Sequence, residues 1–385
     1  MLRGSLFVGF ARARTLTGEA FARDTQCRAL GDERGHYAAR SNVTSAVFIL
    51  AWSLSAGDVL ALLPLLALGA GVYALVLLGW LTHKLAKPPR RTFAVALAQG
   101  RPADPSQLPE ALAFREFSFA CDGLSLSAWE VTGKAPGGPT CVLTHGFGDS
   151  KLGGLSRVPA LAACCSRLVL WDMPGHGESP GSCAQGTSEV LALRALLAAL
   201  PRDAQGERGV VLYGWSMGAG VSIACAGLLL REAKAGQAHM GEPHPPRVRG
   251  IIAESPYRLA RTPAENVLRV SGLPRGMWLR AALGLIGASH RVPRELSLKD
   301  EAFDRAAWAT RLQGVPLLVL HGSDDHVSPI EDGRAISQAA QGELHELAGG
   351  GHFGLWTDST SAASCALAAQ QFVRRVSSDA GSAAE

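Results

Sequence analysis

No two of the eight cysteines in this chain stand two residues apart, and none keeps a ligand spacing to a histidine. A zinc knuckle or a dithiol redox site therefore has no residues to form it. Cys27, Cys121, Cys141, Cys164, Cys165, Cys183, Cys225 and Cys365 lie mostly in apolar runs. A free thiol there packs as a small hydrophobe, which favours a reducing compartment. Charge is scarce as well: 18% of residues are Asp, Glu, Lys or Arg, against about a quarter in an average soluble domain. The net charge of +4 spreads over 385 residues without a long Lys/Arg block, which excludes nucleic-acid binding through a basic stripe. So little charge, with a mean hydropathy of +0.13, implies a membrane segment or a large core.

The membrane segment is visible. Residues 1–42 hold seven arginines, no lysine and no periodicity, and read as a disordered or targeting tail. Residues 43–56 are apolar with scattered serines, and 59–81 are apolar without a single charge. The second run extends about 34 Å as a helix, enough to cross a bilayer core of about 30 Å. Arg34 and Arg40 precede the first run, and Lys84, Lys87, Arg90 and Arg91 follow the second. Positive charge at both ends suits a hairpin within 43–82, turning at 55–58, with both ends cytoplasmic. The first run is short for a span, so a single anchor is the other reading. The 84–91 cluster then still places the C-terminal part in the cytoplasm.

Prolines in 83–110 mark a linker. From 111 to 378 strand patterns alternate with helix patterns, implying a mostly parallel sheet covered on both faces; 379–385 is a tail. The expected strands are 114–119, 124–131, 140–144, 168–171, 210–215, 248–254, 315–320 and 343–347. A loop is expected at 239–246, and about sixty residues separate the sixth and seventh strands.

The key stretch is VVLYGWSMGAG at 210–220, a strand, a tight turn and an Ala-rich helix. Glycines on either side of Ser216 permit a bend that lifts its hydroxyl to the top of a sheet, in the manner of a nucleophile elbow. A serine nucleophile needs a base, and the base needs a carboxylate. After the seventh strand comes HGSDDHVSP, in which Asp325 is the expected acid, with Asp324 as the alternative and Glu254 behind both. The base should follow the last strand, where Gly349-Gly350-Gly351 precedes His352. His145, His176 and His321 each precede a glycine at a strand end and read as turn-tying imidazoles. Two backbone amides should face the developing oxyanion, those of Met217 and of Phe147 in HGFG.

HGFG at His145, DMPGHGES at Asp172, GWSMG around Ser216, HGSDDHVSP at His321 and GGGHF at Gly349 occur in order over some 260 residues. With these motifs the chain resembles the α/β-hydrolase superfamily, in its serine-aminopeptidase-like and esterase-lipase branches, as a membrane-anchored member. The resemblance implies a mostly parallel eight-stranded sheet with helices on both faces, a helical lid insert at 256–310 and a preceding transmembrane segment. It implies an acyl-serine intermediate, no metal and no organic cofactor. Epoxide- and halide-type relatives carry aspartate at the elbow and dienelactone-type ones cysteine, so Ser216 argues against both. The expected substrate is a small-molecule or lipid ester. A serine peptidase is the alternative, with Glu254 and Glu265 as a thin amine site, and a silent binding domain is a third reading. In the lid, Leu268, Leu273, Met277, Trp278, Leu279, Leu283, Leu285 and Ile286 are candidate acyl-pocket residues. Arg258, Arg261, Arg269, Arg275 and Arg280 are candidate anion contacts.

Overall fold

In a computed structural model, residues 55–201, 209–236, 246–273, 275–299 and 302–378 are described. Residues 1–54, the C-terminal tail 379–385 and most of the loop expected at 239–246 lie outside them. The chain divides into two units, Met1–Ala70 and Gly71–Glu385.

Helix α1 (Ala56–Ala86) begins where a hairpin turn was expected. The Asp58 amide donates to Ser55 Oγ at 3.2 Å, and the Ser55 amide donates to Asp58 Oδ2 at 2.8 Å. This reciprocal pair is a capping box, so Ser55 and Asp58 stand at the start of α1. Its stretch Leu60–Ala86, which contains an 18-residue window with a mean hydropathy of 2.3, is long and apolar enough to cross a membrane. A short helix, α2 (Phe93–Ala98), interrupts the expected linker.

The elements that follow are β1 (Phe114–Cys121), β2 (Leu124–Thr132), β3 (Thr140–Thr144), α3 (Val158–Ala162), β4 (Arg167–Trp171), α4 (Ser188–Ala199), β5 (Val210–Trp215) and α5 (Met217–Lys234). Then come β6 (Val248–Glu254), α6 (Arg261–Val270), α7 (Met277–Ser289), α8 (Arg305–Ala309), β7 (Leu317–Gly322), α9 (Ile330–Ala340), β8 (Glu343–Leu347) and α10 (Ser359–Ser378). All eight strands join one sheet in the order β1-β2-β4-β3-β5-β6-β7-β8. β1–β2 and β2–β4 pair antiparallel and the remaining neighbours parallel. The α/β-hydrolase fold is the architecture the motifs implied.

Strand alternation sorts the core into two layers. Val142, Val169, Leu212, Ile251 and Val319 face one side, against Leu193 and Leu197 of α4, Ala219 and Ile223 of α5, and Ile336 of α9. Cys141, Leu168, Val211, Ile252 and Leu318 face the other, against Val158 and Leu161 of α3 and Ala369, Phe372 and Val373 of α10. Each fully buried Leu, Ile or Val contributes about 1.5–3 kcal/mol relative to exposure.

The insert between β6 and β7 is not uniform. Its last part is core: Arg305 and Trp308 of α8 are buried, with the Arg305 guanidinium 4.3 Å from the Phe303 ring centroid and 4.5 Å from that of Tyr257. Only α6 and α7 stand outside the two layers. There Leu268, Leu279, Ala282 and Leu283 form a separate apolar cluster with Leu81 at the end of α1.

Candidate active site

Ser216 sits between β5 and α5 at φ 54°, ψ −116°, a conformation that costs a non-glycine residue of order 1–3 kcal/mol. The surroundings impose it. A Cβ on Gly218 would lie 2.1 Å from the Thr144 carbonyl oxygen, and one on Gly214 would lie 2.2 Å from the Gly218 carbonyl oxygen. Strand and helix therefore meet through bare backbone on both sides of the serine. The Ser216 amide donates to the Glu254 carbonyl oxygen at 2.8 Å, fixing the turn to the end of β6.

His352 reaches this point from the loop after β8. Its Nε2 lies 3.0 Å from Ser216 Oγ, and its Nδ1 lies 2.7 Å from Asp325 Oδ2. Asp325 is 5% exposed, and its other oxygen accepts the amides of Val327 at 2.9 Å and Ser328 at 2.7 Å. Burial pushes the Asp325 carboxyl up, but hydrogen bonds from His321 and His352 and the Ser328 amide outweigh it. They hold the group well below the ordinary carboxylate range. The order serine–imidazole–carboxylate is that of a triad. Asp324, the alternative acid, is exposed, and its carboxylate accepts the neighbouring Ser323 hydroxyl.

The HGFG loop lies against the elbow: a Cβ on Gly146 would fall 3.2 Å from Ser216 Cβ and 3.3 Å from Trp215 Cδ1. Phe147 and Met217 thus follow backbone on two sides of the serine, and Met217 opens α5, where helix N–H groups are free of intrahelical partners. Buried polar groups hold the loop. The Met173 amide donates to His145 Nε2 at 3.0 Å, and His145 Nδ1 lies 2.8 Å from the Gly146 carbonyl oxygen. His176 stacks edge-on to His145 at 4.8 Å between ring centroids and to Phe147 at 6.0 Å. Burial lowers the His145 imidazole to about 4 and that of His176 to about 3, so both stay neutral. His321 Nε2 lies 2.9 Å from the Ser328 carbonyl oxygen. All three histidines tie turns, and His326 is exposed.

Beneath the elbow is a polar cluster that sequence reasoning missed. Arg157 Nε donates to Glu254 Oε2 at 2.8 Å and its Nη2 to Oε1 at 2.5 Å. The Tyr213 hydroxyl and Trp356 Nε1, at 2.5 and 3.0 Å, donate to the same Oε2. The Arg157 guanidinium also stacks on the Trp215 ring at 4.3 Å. Five residues from four segments meet here: the turn before α3, β5, the end of β6 and the His352 loop. Glu254 is a candidate carboxylate in the sequence, and Tyr213 and Trp215 lie in the elbow stretch; nothing there singles out Arg157 or Trp356. The Glu254 carboxylate is thus engaged by Arg157, Tyr213 and Trp356, and Glu265 lies 3.6 Å from Arg261 on its own helix.

The expected acyl-pocket residues separate into two groups. Leu268, Leu279, Leu283 and Ile286 are buried, whereas Met277 is 73% and Leu285 49% exposed. Arg258 is ion-paired with Asp304. Among the described residues no cluster of His, Cys, Asp and Glu is arranged to hold a metal ion.

Comparison with known proteins bears on the family and the fold. Residues 141–366 match the profile of the "Alpha/beta hydrolase family". The Pyrococcus furiosus esterase Pf2001 superposes with a TM-score of 0.54 at 18% identity, over 76% of this chain and 98% of that one. Another crystal form of the same esterase gives 0.54 at 19% identity, over 76% and 97%. These likenesses show a shared fold. A "dihydrolipoyllysine-residue acetyltransferase component of acetoin cleaving system" from Pseudomonas putida is 40% identical over 106 residues. That match covers 28% of this chain and only 27% of the relative's length.

Proposed function

Because the chain belongs to the alpha/beta hydrolase family, we propose that it is a serine hydrolase cleaving carboxylic esters through an acyl-serine intermediate. The observation that carries this reading is the continuous path Ser216 Oγ–His352 Nε2 at 3.0 Å and His352 Nδ1–Asp325 Oδ2 at 2.7 Å.

In this reading Ser216 Oγ attacks the ester carbonyl as its proton passes to His352 Nε2. Asp325 fixes the imidazole tautomer and stabilises the imidazolium. The amides of Phe147 and Met217 receive the oxyanion; loss of one such donor in a related site costs about 10²–10³ in rate. The tetrahedral adduct collapses as His352 returns the proton to the leaving alcohol. Water, deprotonated by His352, then attacks the acyl-serine and regenerates Ser216.

Two observations bear on substrate class. The carboxylates a peptidase of aminopeptidase type would use, Glu254 and Glu265, lie against Arg157 and Arg261, which favours an ester over a peptide with a free amine. Helix α1 supports a membrane placement and, with it, a lipid acyl ester as substrate. Lys84, Lys87, Arg90 and Arg91 favour the cytoplasmic face for the catalytic domain.

The test is hydrolysis of p-nitrophenyl esters of graded acyl length beside amino-acyl naphthylamides. Ester turnover that rises with chain length and vanishes in Ser216→Ala is expected. Turnover of the naphthylamides alone would overturn the ester reading.

A further inference from the structure

A surface helix on a soluble domain presents a polar face to water, and one that is apolar all round is buried in protein or in lipid. Helix α7 has a single charged residue, Arg280, among Met277–Ser289. Its inner face, Leu279, Ala282, Leu283 and Ile286, is buried. Its outer face carries Met277 and Leu285, 73% and 49% exposed, with exposed Ala281, Gly284 and Ala288 between and beyond them. Val270 and Leu273, at 63% and 36% exposed, extend the apolar surface to the end of α6 and the turn after it.

The inner face of this helix pair is covered by the end of α1. Leu81 shares a cluster with Leu268, Leu279, Ala282 and Leu283, with Leu78 and Leu85 packed at its margin. Gln185 Nε2 donates to the Leu85 carbonyl oxygen at 2.8 Å, and the Cys183 amide donates to that of Ala86 at 2.9 Å. The last turns of the candidate span are thus bound to α6 and α7. In the same unit, exposed Val72, Leu75 and Val76 continue the helix with apolar surface.

Charge picks out the kind of surface. Between Glu265 and Glu295 the chain has five arginines and no acidic residue. Arg269, Arg275, Arg280, Arg291 and Arg294 are all exposed. Apolar side chains interspersed with cations that have no acidic partner among the described residues suit an anionic bilayer surface, where the cations meet headgroup phosphates and the apolar groups enter the acyl boundary.

We propose that α6 and α7 are a membrane-docking surface, seated on the anionic phospholipid leaflet that α1 leaves at its C-terminal end. Met277 and Leu285 are then lipid contacts instead of acyl-pocket lining. The proposal rests on the membrane placement of α1 and is independent of the ester chemistry.

The test uses the full chain with Cys27 and Cys121 replaced by serine, reconstituted in vesicles of phosphatidylcholine and phosphatidylglycerol. Single cysteines at Leu75→Cys, Met277→Cys and Leu367→Cys carry an environment-sensitive dye, and nitroxide-labelled lipid is the quencher. Leu367, on α10, is 58% exposed and serves as the aqueous reference. The expected result is strong quenching and a blue shift at positions 75 and 277, and neither at 367. Adding Arg275→Glu and Arg280→Glu should weaken quenching at 277 while leaving 75 unchanged. Quenching at 75 with none at 277 would overturn the docking surface and leave the α1 placement standing. No quenching at either would overturn both. Strong quenching at 277 that persists in the double glutamate variant, or in phosphatidylcholine alone, would overturn the assignment to anionic lipid.

Discussion

The backbone amide of Ser216 donates to the carbonyl oxygen of Glu254, while the side chain of that same Glu254 lies buried on Arg157. One residue thus holds the turn at Ser216 through its main chain and joins β5 to the His352 loop through its carboxylate.

That arrangement makes Glu254→Gln costly. Arg157 would keep its charge below the elbow without a counter-ion, and breaking a buried pair from one side costs about 3–5 kcal/mol. Chemical denaturation should show a loss of that size. Arg157→Met combined with Glu254→Leu should lose less than either single change, since an apolar pair of similar volume removes both buried charges.

Asp325 and Asp324 are adjacent in sequence and differ in setting, one buried against His352 and the other exposed. Asp325→Asn removes the acceptor that sets the His352 tautomer and should lower kcat by about 10⁴, the loss seen when a triad aspartate is so replaced. Asp324→Asn should leave kcat within about twofold, because among the described residues the exposed carboxylate meets only Ser323. Parallel kinetics on one ester substrate separate the two.

Acid should destabilise the protein well above the carboxylate range. With His145 lowered to about 4 and His176 to about 3 by burial, the unfolded chain binds protons below about 6.5 that the folded chain does not. Stability therefore falls as pH drops from about 6.5, and each contribution levels off once the folded imidazole protonates. For His145 the full effect is about 3 kcal/mol. Asp325 acts at the acid end: its depressed carboxyl contributes stability above about 3.9 that is lost as pH falls through its folded value. Denaturation of wild type and His176→Asn across this range should give a shallower slope for the variant between about pH 6.5 and 3.

Gly218→Ala is expected to harm both stability and rate. Its Cβ would meet backbone oxygen at Thr144 and His145, 2.1 and 2.5 Å away, so α5 must move. Overpacking of this kind costs about 1–3 kcal/mol or more, and the shift displaces Ser216 from His352. Gly137→Ala, with open space around its Cβ position, is the matched control for thermal melting and kcat.

Much of this was legible because it is local. The strands 140–144, 248–254 and 343–347 have the expected bounds, since each is a short run set by its own residues and the turns beside it. The elbow, the Gly-rich approach to His352 and the aspartate after β7 are likewise written in contiguous residues. What stayed hidden depends on distant contacts. Arg157 pairs with a residue 97 positions away, and nothing in its own neighbourhood marks it. Residues 55–58 read as a turn because Ser and Asp favour turns and helix caps alike. The insert between β6 and β7 read as one lid because apolar residues and arginines recur along its whole length. Only packing separates Trp308, held in the core, from Met277, left exposed.

Labelling by a fluorophosphonate probe tests the central claim most directly. Intact mass and peptide mapping should place one phosphonyl adduct on Ser216 of the full chain. Ser216→Ala should remain unlabelled and His352→Ala should label at least about a hundredfold more slowly. An adduct on any other residue, or equal labelling of the Ser216→Ala chain, would contradict the account.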